Sequence, residues 1–273
     1  MTVINSNSAA LRAQNGTRLA NQQLNTAMAR LSSGNRINSA SDDAAGLAIS
    51  NSMTSQINGM NQAISNANDG VSMAQTADGA LSEVTNMLQR IRELAVQSAS
   101  GTYSDDDRTN MQAEVDLLSK QITSSLTGST FNGVNLFDGT AGGGTGTVSI
   151  QVGSDAGNTI DMDFSQITDT TAATSVATVT DANAAMTTVD AQLKTIDTAR
   201  AKLGAAESRM NSVVNSLTDN VTNLTDARSR ISDADFSAET TNLAKAQILS
   251  QAATAMLAQA NQTPQGVLKL LGN

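Results

Sequence analysis

The side chains that could do chemistry in this chain are carboxylates, hydroxyls and the basic groups of Lys and Arg, because its 273 residues include no His, no Cys and no Trp, and only one Tyr and one Pro. Metal ligation by imidazole or thiolate, and catalysis by Cys or His, are thereby excluded. Asp105, Asp106 and Asp107 stand in a row, but a calcium loop needs spaced oxygen ligands and a distal Glu. Just after Ser104, the three carboxylates suit the positive end of a helix that the serine hydroxyl caps. Gly142 to Gly144 with Gly146 lacks the Lys-Ser/Thr and the strand-to-helix setting of a phosphate loop, and reads as a flexible linker. Asp161 and Asp163 alternate onto the solvent face of a strand-like segment. No catalytic, cofactor-binding or metal-binding residue is expected. One further polar stretch, Gln89, Arg90, Arg92, Glu93 and Leu94 with Glu114, has the composition of solvent-facing charge on a long helix.

Helices must position these groups. Aromatic residues make up 2% of the chain, and Ala, Leu, Val, Ile and Met carry its apolar fraction, so thin helical seams are favoured over a thick core. Residues 1–35 are weakly amphipathic, with Leu24, Met28 and Leu31 at helical spacing; a break follows at Ser33-Gly34, and Ser39 with Asp42 predicts a capping box for the next helix. From Met53, Ile57, Met60, Ile64, Ala67, Val71 and Ala74, then Leu81, Val84, Leu88, Ile91 and Ala95, step by three or four, with an interruption near Asp78. Such a helix, from about 42 to 100, would be roughly 90 Å long at ~1.5 Å per residue. A second helix is expected to run to about Leu126, followed by turns at Asn132-Gly133 and Asp138-Gly139.

Val148, Ile150 and Val152, then Ile160, Met162 and Phe164, alternate on either side of a Gly/Asn/Asp loop, which predicts a β-hairpin near 148–164. The Thr-rich stretch 165–180 reads as a short surface connection. Val189, Ile196, Leu203, Met210, Leu217, Leu224 and Ile231 then recur every seven residues. A last amphipathic segment from Phe236 to about Ala260, with Leu243, Ile248, Leu249, Met256 and Leu257, is expected to end before Pro264. The fold class is therefore mainly α: a long antiparallel helical bundle or coiled coil with one small β-hairpin region and paired termini.

The formal net charge of −9 argues against nucleic acid and anionic membrane surfaces as partners. No apolar run is long enough to span a bilayer, and the first residues lack the pattern of a cleavable signal peptide. Apolar stripes at both ends have no thick core to enter, which marks them as interaction surfaces; a head-to-tail contact that does not close generates a helical polymer.

Specific motifs agree. LSSGNRINSASDDAAGLAIS at 31–50, ANDGVSMAQTADGAL at 67–81, LQRIRELAVQSAS at 88–100, FNGVNLF at 131–137, VSIQVGSDAGNTIDMDF at 148–164 and the segment 229–271 together resemble the bacterial flagellins over almost the whole chain. That resemblance implies a structural filament subunit for swimming motility and no enzyme, exported to the cell exterior by the flagellar type III route without a cleavable signal peptide. It implies an inner part, 1–40 with 236–273, forming the filament core, and an outer helical part, 41–235, with 165–180 in place of the family's outermost variable domains. Implied partners are other copies of the chain, an export chaperone, and cap and junction proteins. The polymerisation seams would be Leu24, Met28, Leu31, Leu243, Ile248, Leu249, Met256 and Leu257. Gln89, Arg90, Arg92, Glu93, Leu94 and Glu114 resemble the surface read by the host Toll-like receptor for flagellin. The alternatives are a hook-filament junction protein and a cell-surface adhesin or polysaccharide-binding homologue; carbohydrate sites usually offer aromatic platforms, and four Phe with one Tyr supply few.

Overall fold

The computed structural model describes residues 6–171 and 174–271, with side chains described through residue 262. The outermost residues of the terminal segments (1–5, 272 and 273) and residues 172 and 173 of the connection lie outside the described residues. The elements are α1 (Ser8–Ser33), α2 (Ala44–Ala99), α3 (Asp105–Gly128), β1 (Thr130–Phe131), β2 (Val134–Asn135), α4 (Ala141–Gly144), β3 (Thr147–Gln151), β4 (Thr159–Asp163), α5 (Val179–Ser232) and α6 (Phe236–Leu271). They form two compact units, residues 56–222 and residues 1–55 with 223–273.

Within the unit 56–222, α2 and α5 run antiparallel. Gln75 Nε2 donates to Glu207 Oε1 at 3.0 Å, Arg200 pairs with Asp78 at 2.7 Å and Arg92 with Asp190 at 2.7 Å, so partners step along the two helices in opposite directions. The heptad on α5 is its core face: Val189, Ile196, Leu203, Met210 and Leu217 are buried, against Leu81, Val84, Leu88 and Ile91 of α2 and Val115 and Ile122 of α3 in one cluster that extends to Met210. Leu224 and Ile231, in the other unit, are only half-buried. α2 does not break at Asp78; that carboxylate stays on the surface, where Arg200 meets it. α3 starts as expected, with Ser104 and Asp107 bonding each other's backbone N–H in a full capping box. Its fourth residue, Arg108, is buried and donates to Ser98 Oγ and to the carbonyls of Ser100 and Tyr103, which fastens the α2–α3 turn.

Four expectations give way to different local solutions. Asn132-Gly133 is the expected turn, with positive φ at both residues, but the two-residue strands flanking it pair antiparallel, so among the described residues there is a second small hairpin beside the expected one. Strands that short carry no alternation to read. The stretch from Gly142 to Gly146 is an ordered turn: all four of its glycines take positive φ, and a Cβ at Gly142 would sit 1.8 Å from the Thr147 carbonyl oxygen. Finally, 165–180 is not simply a surface connection. Ile167, Thr171 and Val176 are buried, with Thr171 Oγ1 sharing a hydrogen bond with Ser119 Oγ and the Val176 carbonyl accepting from Ser98 Oγ. Alternate exposed residues such as Thr168 and Thr170 hide this docking from a compositional reading.

The fourth concerns the start of α2. Ser39 and Asp42 close a separate turn, in which Asp42 Oδ2 accepts from the Asn38 and Ser39 amides, and the helix cap is Asp43, whose Oδ1 accepts the Gly46 N–H at 2.8 Å. The main hairpin is as expected. β3 pairs with β4 from Thr147↔Asp163 to Gln151↔Thr159, which puts Ile160, Met162 and Phe164 into the core.

In the unit formed by residues 1–55 and 223–273, α1 and α6 run antiparallel. Asn21 meets Ser250 at 3.0 Å and Arg30 meets Glu239 at 3.8 Å. α1 ends at Gly34, whose φ of 72° suits a left-handed helix stop. α6 does not end before Pro264 but continues to Leu271. A proline there leaves the carbonyl four residues earlier without its helical donor, and Asn7 Nδ2 supplies one to Ala260 O at 2.8 Å.

Candidate functional site

Two surfaces could carry recognition. The first lies on α2, with contributions from α3 and α5. Arg90 is bonded through Nε to Glu114 at 2.8 Å and through Nη1 to Glu93 at 3.1 Å, while Arg92 donates to both oxygens of Asp190 at 2.7 and 3.4 Å. Gln89, Arg92, Glu93, Val96 and Gln97 line a shallow exposed depression beside them. Hydrogen bonds to Glu114 and then Glu93 hold the Arg90 guanidinium above its ordinary value, and the bond from Arg92 lowers the Asp190 carboxyl. Every charge in the patch is solvated, so these pairs fix side-chain positions more than they stabilise the fold. The structure thus gathers Gln89, Arg90, Arg92, Glu93 and Glu114 on the surface. Leu94 does not join them: at 2% exposure it belongs to the core seam of Leu88 and Ile91, because α2 turns that position inward.

The second surface is the terminal pair. Its buried apolar residues are small, Ala20 and Ala27 of α1 against Ala246 and Ala260 of α6, with Gly16 opposite Ala253, and its one buried charge among the described residues is Glu239, which faces Arg30. Large apolar residues point away instead. Ile248 is 66% and Met256 63% exposed, and Leu11, Leu19, Met28, Leu249 and Phe236 are exposed as well. Of the expected seam, Leu24, Leu31, Leu243 and Leu257 are half-buried along the pair. Small side chains let two helices approach closely, and the bulky ones are left for something else to cover.

Against this geometry, residues 4–142 match the bacterial flagellin N-terminal helical region and residues 186–271 match the bacterial flagellin C-terminal helical region. The chain belongs to the bacterial flagellin family. Among flagellins it is 51% identical over 159 residues to the B-type flagellin of Pseudomonas aeruginosa, a match covering 58% of this chain and 32% of that one. It is 48% identical over 180 residues to the flagellin of Salmonella muenchen, covering 66% and 35%. The chain thus spans about a third of the length of the curated relatives it matches. The crystal structure of Bacillus cereus flagellin superposes with a TM-score of 0.52 at 28% identity, covering 60% of this chain and 94% of that one. A putative flagellar hook-associated protein from Vibrio parahaemolyticus superposes with 0.61 at 17% identity, over 70% and 100%, a likeness of fold alone.

Sequence reasoning missed the groups that hold these surfaces in place. Asp190 and Arg108 lie on helices whose charged residues carry no pattern, so only the packing reveals their partners. Among the described residues no group of three His, Cys, Asp or Glu is placed to hold a metal ion, and no helix is long and apolar enough to cross a membrane.

Carboxylates set the pH response. Asp107, bonded by the Ser104 hydroxyl and amide, Asp163, bonded by Lys202 and Ser165, and Asp190, bonded by Arg92, are all held below the ordinary value of 3.8. A lowered carboxyl stabilises the fold above its unfolded value and loses that contribution as pH falls through the folded one. The thermal midpoint of the isolated chain should therefore stay level down to about pH 5 and drop below about pH 4. A midpoint flat through that lower range in circular dichroism melts would contradict it.

Proposed function

We propose that the chain is an extracellular structural subunit that polymerises with copies of itself into a flagellar filament. The observation that carries this is the inverted packing of the terminal pair, with Ala20, Ala27, Ala246 and Ala260 inside and Leu11, Leu19, Met28, Ile248, Leu249 and Met256 outside. A surface built that way gains stability only when neighbours cover it, and a contact repeated head to tail extends without closing. The relatives named flagellin support the same reading. Residues 1–40 with 236–273 form the filament core in this scheme, and 41–235 the surrounding layer. An export chaperone of the type III route and cap and junction proteins are the further partners. Purified chain treated with ammonium sulfate, which strengthens apolar burial, should give long filaments in negative-stain images; short caps or no polymer would defeat the proposal.

The patch around Arg90 supports a second role, as the surface that a host Toll-like receptor for flagellin reads on the free subunit. Arg90→Asp would replace two ion pairs by three neighbouring carboxylates while touching nothing in the core. Signalling by soluble chain in receptor reporter cells should fall about tenfold or more, as for a central interface residue, with an unchanged melting curve. A well-folded variant that signals normally would remove the receptor reading and leave the filament untouched.

A further inference from the structure

The seam between α1 and α6 does not itself specify how far one helix has slid along the other. Ala13, Ala20 and Ala27 recur every seven residues on α1, and Ala246, Ala253 and Ala260 recur every seven on α6. Four of these are buried and the other two half-buried. Sliding either helix by seven residues, about 10 Å at ~1.5 Å per residue, sets methyl groups against methyl groups again. Knobs of mixed size would penalise such a slip, but Leu11, Leu19, Met28, Ile248, Leu249 and Met256 face outward, and the half-buried leucines repeat on the same period, Leu24 with Leu31 seven apart and Leu243 with Leu257 fourteen apart.

Polar contacts at the two ends remove the degeneracy. At one end the connections α1–α2 and α5–α6 cross. Asn35 and Asp233 form an antiparallel bridge, the Arg36 amide donates to the Ser232 carbonyl at 2.6 Å, and the Ala234 amide donates to the Gly34 carbonyl at 2.9 Å. Arg36 Nη2 adds a bond of 2.5 Å to the Ile231 carbonyl in the last turn of α5, where a cation is favoured. Asp235 then starts α6 by accepting from the Ser237 and Ala238 amides. At the other end Asn7 caps α1 through Oδ1 and gives its Nδ2 to Ala260 O, the carbonyl left without a helical donor by the only proline in the chain. Between the ends, Ser250 with Asn21 and Arg30 with the buried Glu239 add two more ties.

We infer that these two ends form a register lock for the terminal pair, with Arg36 and Asn7 as its positioning residues. A seven-residue slip breaks the bridge or tears α6 from its cap, and it leaves the Ala260 carbonyl unpaired. Register decides which outward side chains of α1 and α6 stand side by side, so the lock serves the filament reading proposed above and rests on it for its purpose.

The absence of cysteine makes the register measurable. A Cβ at Gly16 would lie 3.8 Å from the Ala253 Cβ, within disulfide spacing. Gly16→Cys with Ala253→Cys reports the native register, and Gly16→Cys with Ala246→Cys or with Ala260→Cys reports a slip of seven in either direction. Intrachain disulfides are identified by peptide mass in both the soluble and the sulfate-treated chain. The native pair should predominate in the soluble chain and should be the only one to close in the sulfate-treated chain. Adding Arg36→Ala and Asn7→Ala should lower the ratio of native to slipped disulfide about tenfold or more, whereas Arg36→Lys, which still donates to a carbonyl, should preserve it. An unchanged ratio in the doubly altered chain, or equal closure of all three pairs without those changes, would overturn the lock. Failure to form filaments would be seen separately by imaging, and an unchanged main melting transition confirms that residues 56–222 stay folded in each variant.

Discussion

A chain lacking residues 236–273 should melt like the full-length protein and form no filaments at all. Its main core is independent of the deleted helix. Leu81, Leu88, Ile91, Ile122, Met162, Phe164, Ile196, Leu203 and Met210 are all fully buried and all lie within residues 56–222. Fully burying one such side chain is worth about 1.5–3 kcal/mol, so this set dominates the cooperative transition. Among the described residues α6 contributes no large buried apolar side chain; Ala246 and Ala260 are its buried apolar residues, beside the buried Glu239. Removing it costs the stable unit little and deprives assembly of Ile248, Leu249 and Met256. It also leaves α1 alone, and a single helix of 26 residues with a weak apolar stripe has little stability of its own in water. Circular dichroism melts together with sedimentation and negative-stain imaging of the truncated chain provide the test. Ordinary filaments from it would refute the role of the terminal pair, and a lost main transition would show that the two units depend on each other.

Periodic features of this fold were legible in advance and aperiodic ones were not. The heptads of α2 and α5 and the alternation of β3 and β4 each repeat a spacing that burial then follows, as with Ile196, Leu203 and Met210 or Ile160 and Met162. Leu94 shows the limit. Its neighbours Arg90, Arg92 and Glu93 made it look like part of a charged surface, yet it stands three residues after Ile91 on the buried side of the same helix. The connection 165–180 shows another, because Thr171 is buried by a hydrogen bond to Ser119 that composition cannot signal. Pro264 misled for a related reason: the rule that proline ends a helix assumes an orphaned carbonyl, and a residue more than two hundred positions away satisfies it. For the terminal surface, spacing located the stripe but not its direction. That Ala faces inward and Ile248 and Met256 outward follows only from how closely the two helices approach.

The same inverted packing implies that the terminal helices order on assembly. In the separate subunit the pair buries Ala20, Ala27, Ala246 and Ala260, worth about 0.8 kcal/mol per methyl-sized group. Against this stands about 1–2 kcal/mol of backbone entropy for each residue ordered, which helical hydrogen bonding only partly offsets. The pair by itself is therefore marginal and opens readily. Neighbouring copies that cover Leu11, Leu19, Met28, Ile248, Leu249 and Met256 add about 1.5–3 kcal/mol for each side chain fully buried, enough to move the balance by several powers of ten. Amide hydrogens of residues 8–33 and 236–262 should accordingly exchange at least about a hundredfold faster in the dissociated subunit than in the filament. Those of α2 around Leu88 and of α5 around Ile196 should be slow in both states, since their core is complete within one chain. Hydrogen exchange followed by mass spectrometry on the two states separates these expectations. Protection of residues 8–33 in the dissociated subunit equal to that around Leu88 would show that the terminal pair is stable alone, and would remove coupled ordering from the assembly mechanism.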